Sequence, residues 1–245
     1  MKVTLVCKEV SAKLTPAMIY EEAIRRVSTL ATVHPHFEQW WLMPSSADEA
    51  DIPMSDREQI ITRIEARCAY FDKQYPGTSS LANHSILLTN APDEASWRER
   101  GSVALSIRPG MGELRLEINR LEQIYDSPCD VMWGLLKVLT SRPQATFAQT
   151  HVQQAKGGER RHYSSQLAVF QHRDFIGWMG YVNQPVSAQP IPDAARIERH
   201  GPGTLILATE SIDLFDARSV EQVNRVEIAM AELGLLAVRG AGLGG

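Results

Sequence analysis

Cysteine is scarce in this sequence, and its few copies follow no pattern. The 245 residues include three cysteines, Cys7, Cys68 and Cys129, which lie far apart along the chain. An odd number of widely spaced cysteines is typical neither of a disulfide framework nor of a Cys-x-x-Cys metal or redox site. We therefore expect an ordinary hydrophobic core to hold the fold, and 44% of hydrophobic residues is a normal fraction for one.

Long apolar runs are also missing. No stretch reaches the ~18 apolar residues that a transmembrane helix needs. The apolar run near the N-terminus, residues 3–7, is followed directly by Lys8 and Glu9, so it is too short for the core of a signal peptide. We expect a cytoplasmic protein with no membrane partner.

The chain carries no large excess of charge of either sign. Its 25 basic and 29 acidic residues leave a formal net charge of −4 at pH 7. Domains that bind nucleic acid are usually strongly basic, with pI values above ~9. The basic segment 156–162 has no aromatic residues interleaved for base stacking. The sequence therefore predicts no nucleic-acid partner.

The compact motifs of catalysis and cofactor binding are absent as well. There is no Gly-x-Ser-x-Gly elbow, no His-Glu-x-x-His helix and no Gly-x-x-x-x-Gly-Lys phosphate loop. His34 and His36 stand close together, but Pro35 fixes the backbone between them. Histidines near a helix C-terminus commonly interact with its dipole instead of a metal. We predict no catalytic residue, no cofactor and no metal site, and hence no enzyme.

One catalytic alternative stays open. Cys129 is predicted in the first turn of a helix, where a thiolate can be stabilised. A concave pocket that brought Cys129 close to His151 or His172 would indicate a small cytoplasmic hydrolase or transferase. A binding protein would instead present an exposed acidic or aromatic patch.

Hydrophobic periodicity predicts both helices and strands. Helices are predicted from cap and proline signals at 15–33, 55–74, 127–142 and from residue 219. Strands are predicted at 2–10, 37–43, 85–89, 145–152, 175–181 and 204–210. Alternating residues on both sides of 109–112 predict a hairpin. This mixture predicts an α+β fold with a mostly antiparallel sheet and helices packed on it.

The second of these helices has the clearest signals. Ser55 and Glu58 form a capping box at its start. Behind it, an apolar stripe with helical spacing predicts the core-facing side, formed by Ile61, Ile64, Cys68 and Phe71.

The domain organisation is predicted to be simple. Residues 1–239 form a single compact unit with two loosely similar halves, each of the order β, helix, β, and residues 240–245 form a flexible tail. The patterning stops in the basic, glycine-containing segment 153–163, which is predicted as a loop. A boundary between the halves would fall there, near 153–161.

Candidate binding residues come from aromatic and acidic positions. Trp40 and Trp41 are adjacent in a predicted strand, so their side chains point to opposite faces and one of them can anchor a partner. Carboxylates in loops usually solvate the loop or cap a helix, but a cluster of them can also steer a basic partner. The predicted partner-binding residues are Trp41, Asp48, Glu49, Asp51, Asp93 and Glu94.

Three short segments resemble a known family. They are the aromatic run 36–41 (His-Phe-Glu-Gln-Trp-Trp), the Gly-Trp-Met of 177–179 and the Gly-Thr-Leu-Ile of 203–206, which leads into an Asp-containing turn and a final helix. In their order and surroundings they are similar to immunity protein 52, a family of antitoxins of bacterial polymorphic toxin systems. The resemblance spans most of the chain and is loose between residues 74 and 163.

The resemblance implies a binding function without catalysis. A member of this family would bind a cognate secreted toxin in the cytoplasm, one to one, and occlude it. The toxin would be a nuclease effector delivered by contact-dependent or type VI secretion. An adaptor or chaperone that carries the effector to the secretion machinery is a weaker alternative.

Overall fold

The protein has an α+β fold in which strands pair antiparallel and helices alternate with them, as predicted. The structure, a computed structural model, describes residues 1–46, 49–77 and 84–239. Two compact units emerge: one takes Met1–Val6 and the chain from Ser127 onward, and the other takes Cys7–Asp126. The first strand, β1 (Lys2–Glu9), contributes residues to both. The predicted tail, 240–245, lies outside the described residues.

The unit formed by Cys7–Asp126 contains the first helices and a meander of strands. Its helices are α1 (Pro16–Ala31), α2 (Arg57–Gln74), α3 (Glu94–Glu99) and α4 (Leu121–Ile124). Its further strands are β2 (Trp41–Leu42), β3 (Ile52–Pro53), β4 (Ile86–Thr89), β5 (Ala104–Arg108) and β6 (Glu113–Ile118). Beginning at β1, the strand order is β1-β6-β5-β4-β2-β3.

The predicted hairpin is confirmed as β5 and β6. Leu105 lies opposite Leu116 and Ile107 opposite Leu114, and all four side chains are buried. Polar residues alternate with them, as expected for strands that bury one face. The connection is a 3₁₀ turn, and it ends at Gly112 with φ 59°.

The other unit contains the last two helices and the C-terminal strands. The helices are α5 (Pro128–Thr140) and α6 (Ala217–Glu232). The strands are β7 (Ala145–Lys156), β8 (Glu159–His162), β9 (Met179–Val182), β10 (Arg196–His200) and β11 (Gly203–Leu207). The order is β10-β11-β9-β7-β1, and β8 pairs with β7. Among the described residues, no helix combines the length and apolarity of a membrane span.

The segment 153–163 is a hairpin, so its prediction as a loop was wrong. Strand β7 continues four residues past Val152, and β8 pairs with it from Gln153 opposite His162 to Lys156 opposite Glu159. The turn consists of Gly157 and Gly158, both with positive φ. The boundary suggested at 153–161 would cut this hairpin, whereas the two units divide between Asp126 and Ser127 and within β1.

The aromatic segment 175–181 is a strand only from Met179, so the predicted strand was too long. Gly177 adopts φ +64°, and a Cβ atom there would lie 2.1 Å from the Thr150 carbonyl oxygen. The turn at Gly177 therefore excludes a regular strand. Between the predicted strands 175–181 and 204–210 lies the unpredicted strand β10, whose residues Arg-Ile-Glu-Arg-His are mostly polar.

Two smaller predictions in the other unit also change. The predicted strand 37–43 is shortened to Trp41–Leu42, and Phe37 belongs instead to the 3₁₀ turn Pro35–Phe37. The N-cap of α2 is Asp56 instead of Ser55, and its carboxylate accepts the backbone N–H of Gln59 at 3.1 Å. The cap signal was recognised one residue too early.

Candidate partner-binding site

The second half of α2 and its C-cap residue, Tyr75, present aromatic side chains to solvent. Tyr70 is 62% exposed, Phe71 42% and Tyr75 56%. The rings of Phe71 and Tyr75, which are four residues apart and so share a face of the helix, lie 5.3 Å apart. Large aromatics are usually covered, and an exposed group of them marks a binding surface more often than a single exposed residue does.

The apolar stripe predicted for α2 is buried only in part. Ile64 is buried, together with Ile60 on the same side, but Ile61 and Cys68 are half-buried and Phe71 is exposed. The stripe therefore begins as core and ends as surface. Its last turns were predicted to pack, and within the described residues nothing covers them fully.

A groove of about 560 Å³ runs beside these aromatics. That volume falls in the range of roughly 300–1,000 Å³ that is common for ligand sites. Its walls include Glu49, Arg63, Arg67, Cys68, Tyr70 and Phe71. We call this groove, together with the ring of Tyr75, the α2 groove.

One wall of the α2 groove carries an ion pair. The Glu49 carboxylate binds the Arg63 guanidinium and accepts the backbone N–H of Ser45 at 2.8 Å. The N–H of Ser45 and the positive charge of Arg63 hold the pKa of Glu49 below its usual value. The negative charge of Glu49 is thus already compensated by the Arg63 guanidinium.

Arg67 lines the same groove and is half-buried. Its Nε and Nη2 donate to Ser45 Oγ at 2.9 and 2.6 Å, and Nη2 also donates to the Met43 carbonyl at 3.5 Å. Burial and the nearby Arg63 lower the pKa of its guanidinium, while Glu49 acts in the opposite direction. The hydrogen-bond acceptors of Arg67, Ser45 Oγ and the Met43 carbonyl, are both neutral oxygens.

Three of the predicted binding residues lie in or near β2 and the loop after it. Trp41 is half-buried, whereas Trp40 is buried and its indole N–H donates to the Phe37 carbonyl at 2.8 Å. Glu49 lines the α2 groove. Asp51 is half-buried, and burial raises the pKa of its carboxyl. Asp48 lies outside the described residues.

The second predicted acidic cluster, Asp93 and Glu94, binds groups within its own helix, α3. Asp93 is the N-cap of α3, and its carboxylate accepts from the Ser96 N–H at 2.9 Å and from Ser96 Oγ at 2.7 Å. Glu94 pairs with Arg98 one turn along the same helix. Both carboxylates are exposed, but both have structural partners.

The surroundings of Cys129 are those of a protonated thiol. Its Sγ lies 3.8 Å from a carboxylate oxygen of Glu210. Burial, Glu210 and Asp130 together raise the pKa of Cys129 to about 11. Arg196 acts in the opposite direction but does not outweigh them. An activated thiolate requires cationic neighbours whose effect dominates and lowers this pKa.

The two histidines named with Cys129 make other contacts. Nδ1 of His151 lies 3.2 Å from Ser164 Oγ, and its ring meets Phe175 edge-on. His172 packs against Phe170. Neither is among the charged groups that act on Cys129. Within the described ranges there is also no cluster of three metal-ligating side chains.

Most residues of the α2 groove are not among those predicted from the sequence to bind a partner. Arg63, Arg67 and Tyr70 were not among the predicted binding residues, and Phe71 was predicted to face the core. A signal was present, because two aromatics and two arginines within nine residues are the residue types enriched at interfaces. The sequence does not tell which of them the rest of the fold covers.

Comparison with known proteins leaves the family undefined. No protein-family model matches the chain, and no curated protein sequence matches it. Among solved structures it is similar to the Pseudomonas aeruginosa T6SS protein PA0821, at 13% identity and a TM-score of 0.46. That alignment covers 94% of this chain and 72% of the other. Similarity at this level carries no function over.

Proposed function

We propose that this protein is an immunity protein, an antitoxin that binds a cognate secreted toxin in the cytoplasm and neutralises it by occlusion. The toxin is a nuclease effector in this proposal. The resemblance of segments 36–41, 177–179 and 203–206 to immunity protein 52 supports the class. The surroundings of Cys129, which keep its thiol protonated, count against the catalytic alternative.

The observation that carries the proposal is the exposed aromatic half of α2. Tyr and Trp dominate the energetics of protein–protein interfaces, since they bury a large area at a small cost in side-chain entropy. A stable interface buries roughly 1,200–2,000 Å² in total. Tyr70, Phe71 and Tyr75 supply the centre of such an interface.

The test is co-expression with the product of the neighbouring reading frame. The account predicts that this product stops growth when expressed alone, and that growth returns when the chain is expressed with it. A tag on one protein should then recover both in equal amounts. Lack of both rescue and complex would contradict the proposed function for that pair.

The aromatic surface is tested by the double variant Tyr70→Ala with Phe71→Ala. We expect it to weaken partner binding by at least about 700-fold, since two interface anchors of this kind each cost roughly 2 kcal/mol or more. The measurement is titration calorimetry with the purified partner. Because both side chains are exposed, the melting temperature should stay close to that of the parent.

A matched control removes exposed apolar side chains from another helix. Ile228 and Leu233, on and just after α6, are exposed to a similar degree as Phe71. The variant Ile228→Ala with Leu233→Ala should bind the partner as the parent does. Equal loss of affinity in both double variants would mean that α2 is not the binding surface.

A further inference from the structure

We infer that the α2 groove receives an acidic segment of the partner, whose carboxylate pairs with Arg67 while an adjacent apolar side chain packs on Tyr70 and Phe71. This inference rests on the proposed function, because it names the chemistry of the bound partner. It reverses the electrostatic expectation from the sequence, in which acidic residues of this chain would meet a basic partner.

The charges in the groove favour an anion. Arg63 and Arg67 contribute two positive charges and Glu49 one negative charge, and Glu49 is already bound to Arg63 and to the Ser45 N–H. The groove therefore keeps one positive charge in excess. A basic partner segment would meet the Glu49 carboxylate, which already pairs with Arg63 and accepts a hydrogen bond from Ser45.

Arg67 is positioned to receive that anion. Ser45 Oγ and the Met43 carbonyl fix the orientation of its guanidinium through Nε and Nη2. Both acceptors are neutral, so neither of them compensates the partly buried charge of Arg67 as a carboxylate would. A guanidinium fixed in this way binds a carboxylate at a reduced entropic cost.

The apolar part of the groove defines the rest of the ligand. On α2, Tyr70 and Phe71 both lie about one turn after Arg67 and two turns after Arg63. Ala66 and Cys68 line the same groove. A single inorganic anion would leave this surface uncovered. A peptide segment with an acidic residue next to a large apolar residue covers both parts.

The first experiment compares charge variants in binding to the partner. Arg67→Gln should weaken binding at least about 30-fold, since removing one member of a buried, hydrogen-bonded charge pair costs roughly 2 kcal/mol or more. Arg57→Gln is the matched control, because Arg57 lies at the start of the same helix and pairs with Glu21 outside the groove. It should bind as the parent does.

The second experiment does not depend on any toxin. The full-length protein is titrated with N-acetyl-Asp-Phe-amide and, separately, with N-acetyl-Asn-Phe-amide at millimolar concentrations, and NMR signals are followed. The Asp peptide should give saturable shifts at the Nε–H of Arg67 and at the amides of residues 66–71. The Asn peptide should bind at least about 5-fold more weakly, because it lacks the charge.

The outcomes separate the inference from the proposed function. If the toxin binds and Arg67→Gln binds it like the parent, the inference is overturned and the proposed function stands. If no toxin binds, the proposed function fails for that partner, and the peptide titration decides the inference alone. Equal shifts with both peptides, or shifts outside residues 63–75, overturn it.

Discussion

At the scale of single residues, Glu227 shows how burial sets a pH dependence. Its Oε1 accepts the backbone N–H groups of Ile176 and Gly177 at 3.1 and 3.0 Å from within α6. These donors favour the charged form, but burial outweighs them and raises the pKa of Glu227 to about 7. The carboxyl is completely buried, so its protonated form is the better fit to the folded state.

A pH-dependent stability follows from this pKa. The folded state binds the proton more tightly than the unfolded state, so the contribution of Glu227 is fully present below about pH 4.5 and is lost as pH rises through 7. Glu227→Gln keeps an acceptor for both N–H groups and cannot ionise. Denaturant titrations at pH 5 and pH 8 measure the difference. Between these pH values, the free energy of unfolding of the parent should fall by on the order of 3 kcal/mol more than that of the variant. Identical pH profiles would contradict the account.

Gly177 is the second residue whose identity the fold requires. It combines φ +64° with a Cβ position 2.1 Å from the Thr150 carbonyl oxygen. Gly177→Ala should lower the free energy of unfolding by at least ~3 kcal/mol, because strain and a backbone clash add. Gly157 has φ +60° with open space around it, so Gly157→Ala isolates the strain and should cost only about 1 kcal/mol. Equal losses in the two variants would show that the clash is relieved without cost.

At the scale of elements, a buried ion network fastens α1 to β1. The Arg26 guanidinium is 3% exposed and binds Glu22 at 2.7 Å and Glu9 at 2.6 Å. Removing the buried cation from such a network leaves the charge of its carboxylate partners less well compensated.

The network can be tested with two neighbouring arginines. Arg26→Met should destabilise the protein by about 3–5 kcal/mol, since the buried Glu22 and the half-buried Glu9 both lose the buried cation between them. Arg25 also pairs with Glu22, but its side chain is 60% exposed, so Arg25→Met should cost less than about 1 kcal/mol. Chemical denaturation of both variants at pH 7 measures the difference. Similar values for the two would mean that burial does not control the strength of this network.

Elements with local signals could be predicted from the sequence, and those held by distant contacts could not. Thr15 and Pro16 start α1 as predicted, and the hairpin 104–118 follows its alternation. Strands β8 and β10 were missed because their residues are mostly charged, which is typical of protected or edge strands and hides an alternating pattern. The turn at Gly177 depends on Glu227 and Thr150, which lie 50 and 27 positions away in sequence.

The candidate site was predictable only in its parts. The sequence identified Glu49 as a binding candidate and Phe71 as part of an apolar stripe on α2. It did not show that Glu49 is matched by Arg63, or that the stripe leaves the core after Ile64. Both facts depend on which surfaces the fold brings together, and periodicity along one helix carries no information about that.

At the scale of the whole molecule, the central claim is that this chain neutralises a toxin by binding it through the α2 groove. Hydrogen–deuterium exchange on the purified complex with the neighbouring gene product tests it most directly. The account predicts a stable complex in which the amides of residues 63–75 exchange more slowly than in the free protein, while those of α6 do not change. The absence of a complex, or a complex that protects other segments and leaves residues 63–75 unchanged, would contradict it.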